Sequence, residues 1–226
     1  MRIGGVDVEF DEARRIASSH FQLTPEETPD EVTQKPTAYY GYPAYDSYPG
    51  GPNDLLSPTD LLAPVLLNVR ASLRAYYELL DRIPELNAVL ARVSVLDELQ
   101  NATDDQLMTF RDLFAILDGT GTPGVRGTTL AKVLHRKRPR FIPLYDEQIR
   151  RCYQDAPGAP VPWVKGRPWS EFAILFAAAV RTDLVRDYEQ WAELAALSPT
   201  APITALRALD IVGWHLGREA FPPVAT

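Results

Sequence analysis

The chain has 226 residues, of which 46% are hydrophobic and 23% charged, so it can bury a substantial core and does not have a disordered composition. A formal net charge of −7 argues against a general polyanion-binding protein. The single cysteine, Cys152, excludes an internal disulfide and a multi-cysteine zinc site, and the three histidines are too scattered to suggest a metal site.

Most segments of the chain have the apolar periodicity of α-helices. Apolar positions predict a short amphipathic helix over 10–21, followed by a Tyr/Pro-rich loop over about 22–56. The sequence Ser57-Pro58-Thr59-Asp60 is typical of a helix start. The same analysis predicts helices over 57–80, 85–99, 103–117, 127–138, from Asp146 onwards, over 170–197 with a break near Thr182, and over 205–216.

These elements predict an all-α fold in one domain over residues 1–226, built as a single body or as two abutting helical lobes. We find no internal repeat and no convincing alternating strand. The N-terminus has no apolar signal core, and no run approaches the length of a membrane span. We therefore expect a cytoplasmic protein.

Charge is distributed unevenly along the sequence. Residues 1–60 contain eleven acidic and four basic residues, whereas 132–151 contain seven Lys or Arg and two acidic residues. A basic patch on an acidic protein is compatible with a confined nucleic-acid footprint, and equally with solvated helix ends. The cations at the end of the helix predicted over 127–138 also suit the negative end of its dipole.

The most specific motif is the glycine turn Pro123-Gly124-Val125-Arg126-Gly127, which separates two predicted helices. Such a turn can hold a phosphate on backbone amides at the start of the second helix, although most Pro-Gly turns between helices are simply turns. On the phosphate interpretation, the predicted contacts are Gly124, Val125, Arg126, Gly127, Thr128, Thr129, Lys132, Arg136, Lys137 and Arg138.

A second motif, Pro143-Leu144-Tyr145-Asp146, follows at a fixed distance and places Asp146 at a predicted helix start. Asp is a favoured N-cap, so this position needs no further purpose. Taken with the turn, however, the segment resembles the helix-hairpin-helix (HhH-GPD) DNA glycosylases over about residues 103–153. In that superfamily a Pro-Gly-Val-Gly hairpin precedes a Pro-x-x-Asp segment. The chain is also similar overall to an uncharacterised actinobacterial family, which implies no function.

The resemblance implies that Asp146 is a catalytic carboxylate and that DNA is the partner. Cleavage of an N-glycosidic bond develops positive charge on the sugar, which a carboxylate can stabilise while it orients or deprotonates a water. Related enzymes that also cut the strand carry a lysine where this chain has Thr128. The implied reaction is therefore monofunctional removal of a damaged or modified base, in repair or in defence against phage.

No catalytic metal or cofactor is implied by the resemblance. Related hairpins chelate a structural monovalent cation through carbonyl groups, and here Arg126 stands in place of the second hairpin glycine. Lys132, one helical turn beyond Thr128, is expected to face elsewhere.

A flipped base is usually held by stacking. The predicted base pocket is Tyr145, Tyr39, Tyr40, Tyr42 and Tyr45; these tyrosines are equally suited to packing a loop onto the core. Trp163, Trp169, Trp191 and Trp214 are expected in the core. Two other functions stay open: a non-catalytic helix-hairpin-helix DNA-binding or scaffold protein, and an enzyme acting on nucleosides or other small N-glycosides, which would need no basic surface near the hairpin.

Overall fold

The computed structural model describes residues 1–21, 42–51, 54–70, 72–199 and 201–219. These residues form a mostly helical structure, as predicted. A two-residue pairing of β1 (Arg2–Ile3) with β2 (Val6–Asp7) precedes eight helices of the described chain. They are α1 (Phe10–His20), α2 (Leu73–Leu90), α3 (Asp104–Phe114), α4 (Gly127–Lys137), α5 (Glu147–Arg150), α6 (Trp169–Arg186), α7 (Tyr188–Ala196) and α8 (Ala205–Glu219).

Short irregular helices extend or join these elements. A 3₁₀ helix, Pro58–Leu67, comes before α2, and shorter 3₁₀ turns span Leu99–Asn101 and Ala115–Leu117. A π-helical segment, Arg151–Asp155, follows α5.

The region before α3 differs from the sequence prediction. The expected helix over 57–80 divides into the 3₁₀ helix and α2, because Asn68 adopts a left-handed conformation (φ 57°) and Ser72 then caps a new helix. The boundary expected before Glu85 is absent, since α2 continues through Pro84. Proline removes one intrahelical hydrogen bond but does not always end a helix. The break expected near Thr182 lies at Asp187, between α6 and α7.

One cluster of buried apolar side chains extends from Ile3 to Val212 and joins most of the helices. Helix α3 packs against α6, α5 and α7 pack against α8, and α4 packs against the 3₁₀ helix Pro58–Leu67. The contact of α5 with α8 is close, because a Cβ at Gly217 would overlap the carbonyl oxygen of Gln148. Helix α8 therefore lies directly beneath the segment that begins at Asp146.

Within the described part of the chain, no helix is both long enough and apolar enough to cross a membrane.

Candidate functional site

The turn between α3 and α4 is held by a carboxylate of the protein itself. The amide of Gly124 donates to Oε2 of Glu78 at 2.7 Å, and Arg74 pairs with the other oxygen of Glu78 at 2.7 Å. The Glu78 carboxylate on the Gly124 amide occupies the position that a phosphate would take in an anion-binding turn. A phosphate could use the Gly124 amide only by displacing Glu78.

Gly127, the second glycine of the motif, is explained by packing. A Cβ at this position would overlap the indole ring of Trp169, so the first residue of α4 must be small for α6 to approach it. Asp118 reinforces the junction, since Oδ2 accepts the amide of Ser170 at 3.1 Å in the first turn of α6. The turn thus joins α4 to α6.

Asp146 is the N-cap of α5, as the sequence predicts. Its Oδ1 accepts the amides of Gln148 (3.0 Å) and Ile149 (3.2 Å), which are orphan donors of the first helical turn. Its Oδ2 lies 3.6 Å from Nζ of Lys132, and 18% of the Asp146 side chain is exposed. The carboxylate is therefore fixed in orientation, while part of the Asp146 side chain remains exposed.

Lys132 faces Asp146, so the expectation that it points elsewhere is wrong. Residues i and i+4 lie on the same face of a helix, which places Lys132 one turn beyond Thr128 and on the same side of α4. The ammonium group is buried and also donates to the carbonyl of Leu67 at 3.4 Å. Burial lowers the pKa of Lys132, and the charges of Asp146 and Asp210 oppose that shift.

A second group of charges lies behind this pair. Arg207 on α8 binds Asp46 through two hydrogen bonds, Nε to Oδ1 at 2.8 Å and Nη2 to Oδ2 at 3.1 Å. Its remaining nitrogen donates to Asp210. All three side chains are almost entirely buried. We call Lys132, Asp146, Asp46, Arg207 and Asp210 the charged cluster.

Burial and pairing set the ionisation of this cluster. Burial raises the pKa of Asp210 to about 6, a shift opposed by Arg207 and reinforced by the negative charge of Asp146. Burial acts in the same direction on Asp46, but Arg207 outweighs it and the pKa of Asp46 is lowered. The pKa of Asp210 is therefore higher than that of Asp46. Pairs of carboxyl groups with different pKa values are common at sites of proton transfer.

The basic residues of α4 do not form an exposed face. Lys137 donates to the carbonyl of Gly51 at 3.0 Å and pairs with Asp60 at 3.0 Å. Arg138 donates to backbone carbonyls that include Val93 at 2.7 Å and Leu90 at 3.1 Å. The predicted contacts of Lys132, Lys137 and Arg138 with phosphate are not supported, because all three side chains are buried.

The other predicted phosphate contacts differ from one another in burial and in bonding partners. Arg136 donates to the carbonyls of Asp46 and Tyr48, so it holds the segment after 42 onto α4. Val125 and Thr129 are buried, Thr128 is half-buried, and Arg126 is exposed. The cations of α4 mainly satisfy backbone carbonyls of neighbouring segments, a role for which their long side chains with several donors are suited.

Two tyrosines of the predicted base pocket, Tyr42 and Tyr45, are packed inside the fold. Tyr45 is fully buried, donates to the carbonyl of Lys132 at 2.7 Å, and lies within 6 Å of the guanidinium groups of Arg136 and Arg207. Tyr42 is buried against Phe21, with its hydroxyl 2.8 Å from that of Ser198. Both are therefore packing residues, which corrects the prediction. Tyr39 and Tyr40 lie outside the described residues.

Tyr145, in contrast, lines a cavity of about 340 Å³. The cavity is formed by side chains from α5 to α6 and the connection between them: Tyr145, Arg150, Gln154, Trp163, Val164, Gly166, Arg167, Trp169 and Phe172. We call it the aromatic cavity. Trp163 is 65% exposed there, so its expected place in the core is wrong, while Trp191 is buried as expected. A larger cavity, about 460 Å³, lies between α7 and the start of α8 and contains none of the predicted residues.

Among the described residues, no group of three His, Cys, Asp or Glu side chains is arranged to hold a metal ion. At the turn, the carbonyls of Thr122 and Arg126 accept the amides of Val125 and Leu130. Two expectations therefore stay predictions: that the protein has no catalytic cofactor, and that the hairpin holds a structural monovalent cation.

Sequence reasoning missed Asp46, Arg207 and Asp210. A signal was present for the last two, because they occur three residues apart in a helix whose other positions are almost all apolar. Charges on a helix that is buried on every side must be paired with each other or with a neighbour. No comparable local signal marks Asp46, which meets Arg207 only through the fold.

A protein-family model, described as a family of unknown function (DUF6308), matches residues 28–217. No curated protein and no solved structure matches the chain.

Proposed function

The chain belongs to the DUF6308 family, and from the geometry of its charged cluster we propose that it is a monofunctional DNA glycosylase. The reaction would hydrolyse the N-glycosidic bond of a damaged or modified base, in the cytoplasm and with DNA as the partner. One observation carries the proposal. The carboxylate of Asp146 is fixed by two amides and Lys132, and 18% of the Asp146 side chain is exposed.

The chemistry assigned to Asp146 follows from that position. As the bond to the base lengthens, positive charge develops on the deoxyribose, and a carboxylate at the anomeric carbon stabilises it. The same carboxylate orients, or accepts a proton from, the water that attacks the sugar. The base departs with the electrons of the broken bond and takes up the proton that the attacking water loses, and the sugar gains the hydroxyl group of that water.

Lys132 is assigned a positioning role. Its ammonium is buried and is shared between the Leu67 carbonyl and Asp146, so it fixes Oδ2 while the α5 amides fix Oδ1. The Arg207 pairs with Asp46 and Asp210 hold α8 and the segment after 42 around this group. A group fixed before substrate binds does not have to be reorganised during the reaction.

Release of free base, followed by mass spectrometry, tests the proposal. The panel contains single- and double-stranded DNA with damaged and phage-type modified bases. Free nucleosides are included because the cations of α4 are turned inwards, which also suits a small N-glycoside. Asp146→Asn is the informative variant, since Asn also caps helices well and so removes the charge while keeping the cap. Asp112→Asn, at an exposed pair with Arg92, is the matched control.

A non-catalytic DNA-binding or scaffold protein is the second candidate. Its scaffold form is favoured by the Glu78 carboxylate on the Gly124 amide and by the internal bonding of Lys137 and Arg138, because these groups bond to the protein itself rather than to phosphate. On this account Asp146 is a helix cap only. The second candidate replaces the first if no member of the panel releases a base while DNA binding is retained.

A further inference from the structure

The aromatic cavity has the composition of a binding site for a planar, anionic ligand. Its volume, about 340 Å³, lies at the lower end of the range of small-molecule sites. Rings form one part of the wall, and Gln154 and two arginines supply the polar groups. An aromatic surface combined with a few directed polar groups is the usual construction of a ligand pocket.

The ring wall is fixed by mutual edge-to-face contacts. Tyr145 meets Trp169 at a centroid distance of 5.8 Å and Phe172 at 5.0 Å, and the latter two rings meet at 5.5 Å. Trp169 is further held by its contact with Gly127. These rings therefore form a firm surface.

Trp163 stands on the connection between the π-helical segment and α6, with most of its indole exposed. The connection is closed by Arg167, whose Nη1 donates to the carbonyl of Pro162 at 2.9 Å and whose amide donates to that of Val164 at 3.3 Å. Gly166 adopts φ 78°, a conformation that favours glycine, which allows the turn to close. An exposed indole on a closed turn has the geometry of a stacking platform, because it is both accessible and positioned.

Polar groups at the cavity suit a base edge and a phosphate. Burial raises the pKa of Tyr145 to about 12, so its hydroxyl stays protonated and donates to Oε1 of Gln154 at 3.0 Å. In the part of the chain that the structure describes, no acceptor contacts Nε2 of Gln154, which leaves that amide as a donor. Amide groups of this kind recognise acceptor atoms on base edges.

Arg150 and Arg167 complete the site. Their carboxylate partners, Asp155 at 2.9 Å and Glu171 at 3.4 Å, are solvent-accessible, with side chains 31% and 58% exposed. The exposed pair of Arg150 with Asp155 is weak, so a phosphate with several oxygens can compete for that guanidinium group. The Arg167 side chain is only 13% exposed, and a phosphate would replace the exposed carboxylate of Glu171 there.

We propose that the aromatic cavity binds one nucleotide unit, with the base stacked on Trp163 and the phosphate on Arg150 and Arg167. The unit is either a free nucleotide or one residue of a single strand. This binding needs no bond cleavage, so it goes beyond the proposed reaction and stands whether or not a base is released.

Isothermal titration calorimetry at low salt tests the proposal with two probes: the four deoxynucleoside monophosphates, and a short single-stranded oligonucleotide. Trp163→Leu removes the stacking surface from an exposed turn. Tyr77→Leu, which removes an equally exposed aromatic from α2, is the matched control. Thermal unfolding of each variant shows whether the fold is retained. Arg150→Gln adds a test of the phosphate contact.

We expect binding of at least one probe, weakened about tenfold or more by Trp163→Leu and unchanged by Tyr77→Leu. Arg150→Gln should weaken binding and reduce its dependence on salt. Binding of monophosphates identifies a free-nucleotide site, and binding of the oligonucleotide alone identifies a strand site. The proposal is overturned if neither probe binds or if Trp163→Leu has no effect. It is also overturned if a proline-rich peptide binds in their place, since aromatic grooves bind such peptides too.

Discussion

Nζ of Lys132 lies 3.6 Å from Oδ2 of Asp146, which brings the helix after the glycine turn into contact with the aspartate segment. The two motifs that stand apart in sequence therefore meet at one ion pair. Behind that pair lie Arg207 and Asp210 on α8, so the carboxylate of Asp146 is the outer member of a mostly buried group. This arrangement is what distinguishes Asp146 from an isolated helix cap.

Lys132→Met should destabilise the protein, because it leaves the carboxylate of Asp146 without its buried cation and removes a positive charge near Asp210, which keeps its pair with Arg207. We expect a loss of about 1–3 kcal/mol, less than for a fully buried pair since Asp146 is partly exposed. Urea unfolding measures the loss. The double variant Lys132→Met/Asp146→Asn should be more stable than the sum of the single losses predicts. Strict additivity would show that the pair contributes no coupling.

Gly127→Ala tests whether this glycine serves packing. The added methyl group would overlap the ring of Trp169, so we expect a loss of about 1–3 kcal/mol in the free energy of unfolding. Gly119→Ala in the same turn is the control, because the nearest atom to its Cβ is 4.0 Å away. That change should be neutral or slightly stabilising. Equal effects of the two substitutions would remove Trp169 from the explanation.

Stability should fall as the pH drops from neutral to about 5. Burial lowers the pKa of His135 to about 4, that of His215 to about 4 and that of His20 to about 3. Their ordinary value is 6.5, so below it the unfolded chain binds protons that the folded chain does not. His135 alone can account for a loss of about 2 kcal/mol between neutral pH and pH 5.

Urea unfolding across this range checks the histidine prediction, with His135→Gln as the variant. Gln can keep a donor near the carbonyl of Ile142, which Nδ1 of His135 contacts at 2.6 Å, but it does not titrate. Its stability should depend less steeply on pH than that of the wild type. An unchanged slope would contradict the assignment to His135.

Asp210 should act in the opposite direction. Its folded pKa, about 6, lies above its ordinary value of 3.8, so the folded chain binds the proton more readily and its stability declines as the pH rises between these values. Asp210→Asn removes this decline. The stability of the variant relative to the wild type should therefore improve from about pH 4 to about pH 6, as measured by urea unfolding. A constant difference would show that Asp210 does not titrate there.

Base removal should leave the DNA strand intact. On the proposed function, Lys132 is not available as a nucleophile, because it is buried, donates to the Leu67 carbonyl and pairs with Asp146. Thr128 stands where the strand-cutting enzymes that the sequence resembles carry their lysine. Abasic product should therefore be cut only after treatment with alkali, and borohydride should trap no covalent complex. Strand cleavage without alkali, abolished by Lys132→Met, would make Lys132 a nucleophile.

The all-α fold was predictable because the apolar periodicity and the caps are local properties of the sequence. The helix start expected at residue 103 is present, with a capping box between Thr103 and Gln106, and the N-cap at Asp146 is present as expected. The orientation of the α4 cations was not predictable, since Lys137 and Arg138 are buried by segments distant in sequence, at Gly51 and Val93. The pair of Asp46 with Arg207 was not predictable either, because the two residues are far apart in sequence and meet only in the tertiary structure.

The exposure of Trp163 was missed for a related reason. Large aromatic residues are usually buried, and the Pro/Gly-rich segment around it contains no periodicity from which its surroundings could be inferred. The boundary expected between residues 80 and 85 is absent, because α2 continues through this region and contains Pro84 within it.

The most direct test of the central claim is single-turnover release of free base by the wild type and by Asp146→Asn, after circular dichroism and DNA binding show the two to be equivalent. The account predicts release by the wild type and a loss of at least about a hundredfold in the variant, the scale on which electrostatic stabilisation of a transition state acts. Equal rates in the two proteins, or no release of any base by a folded wild type, would contradict it.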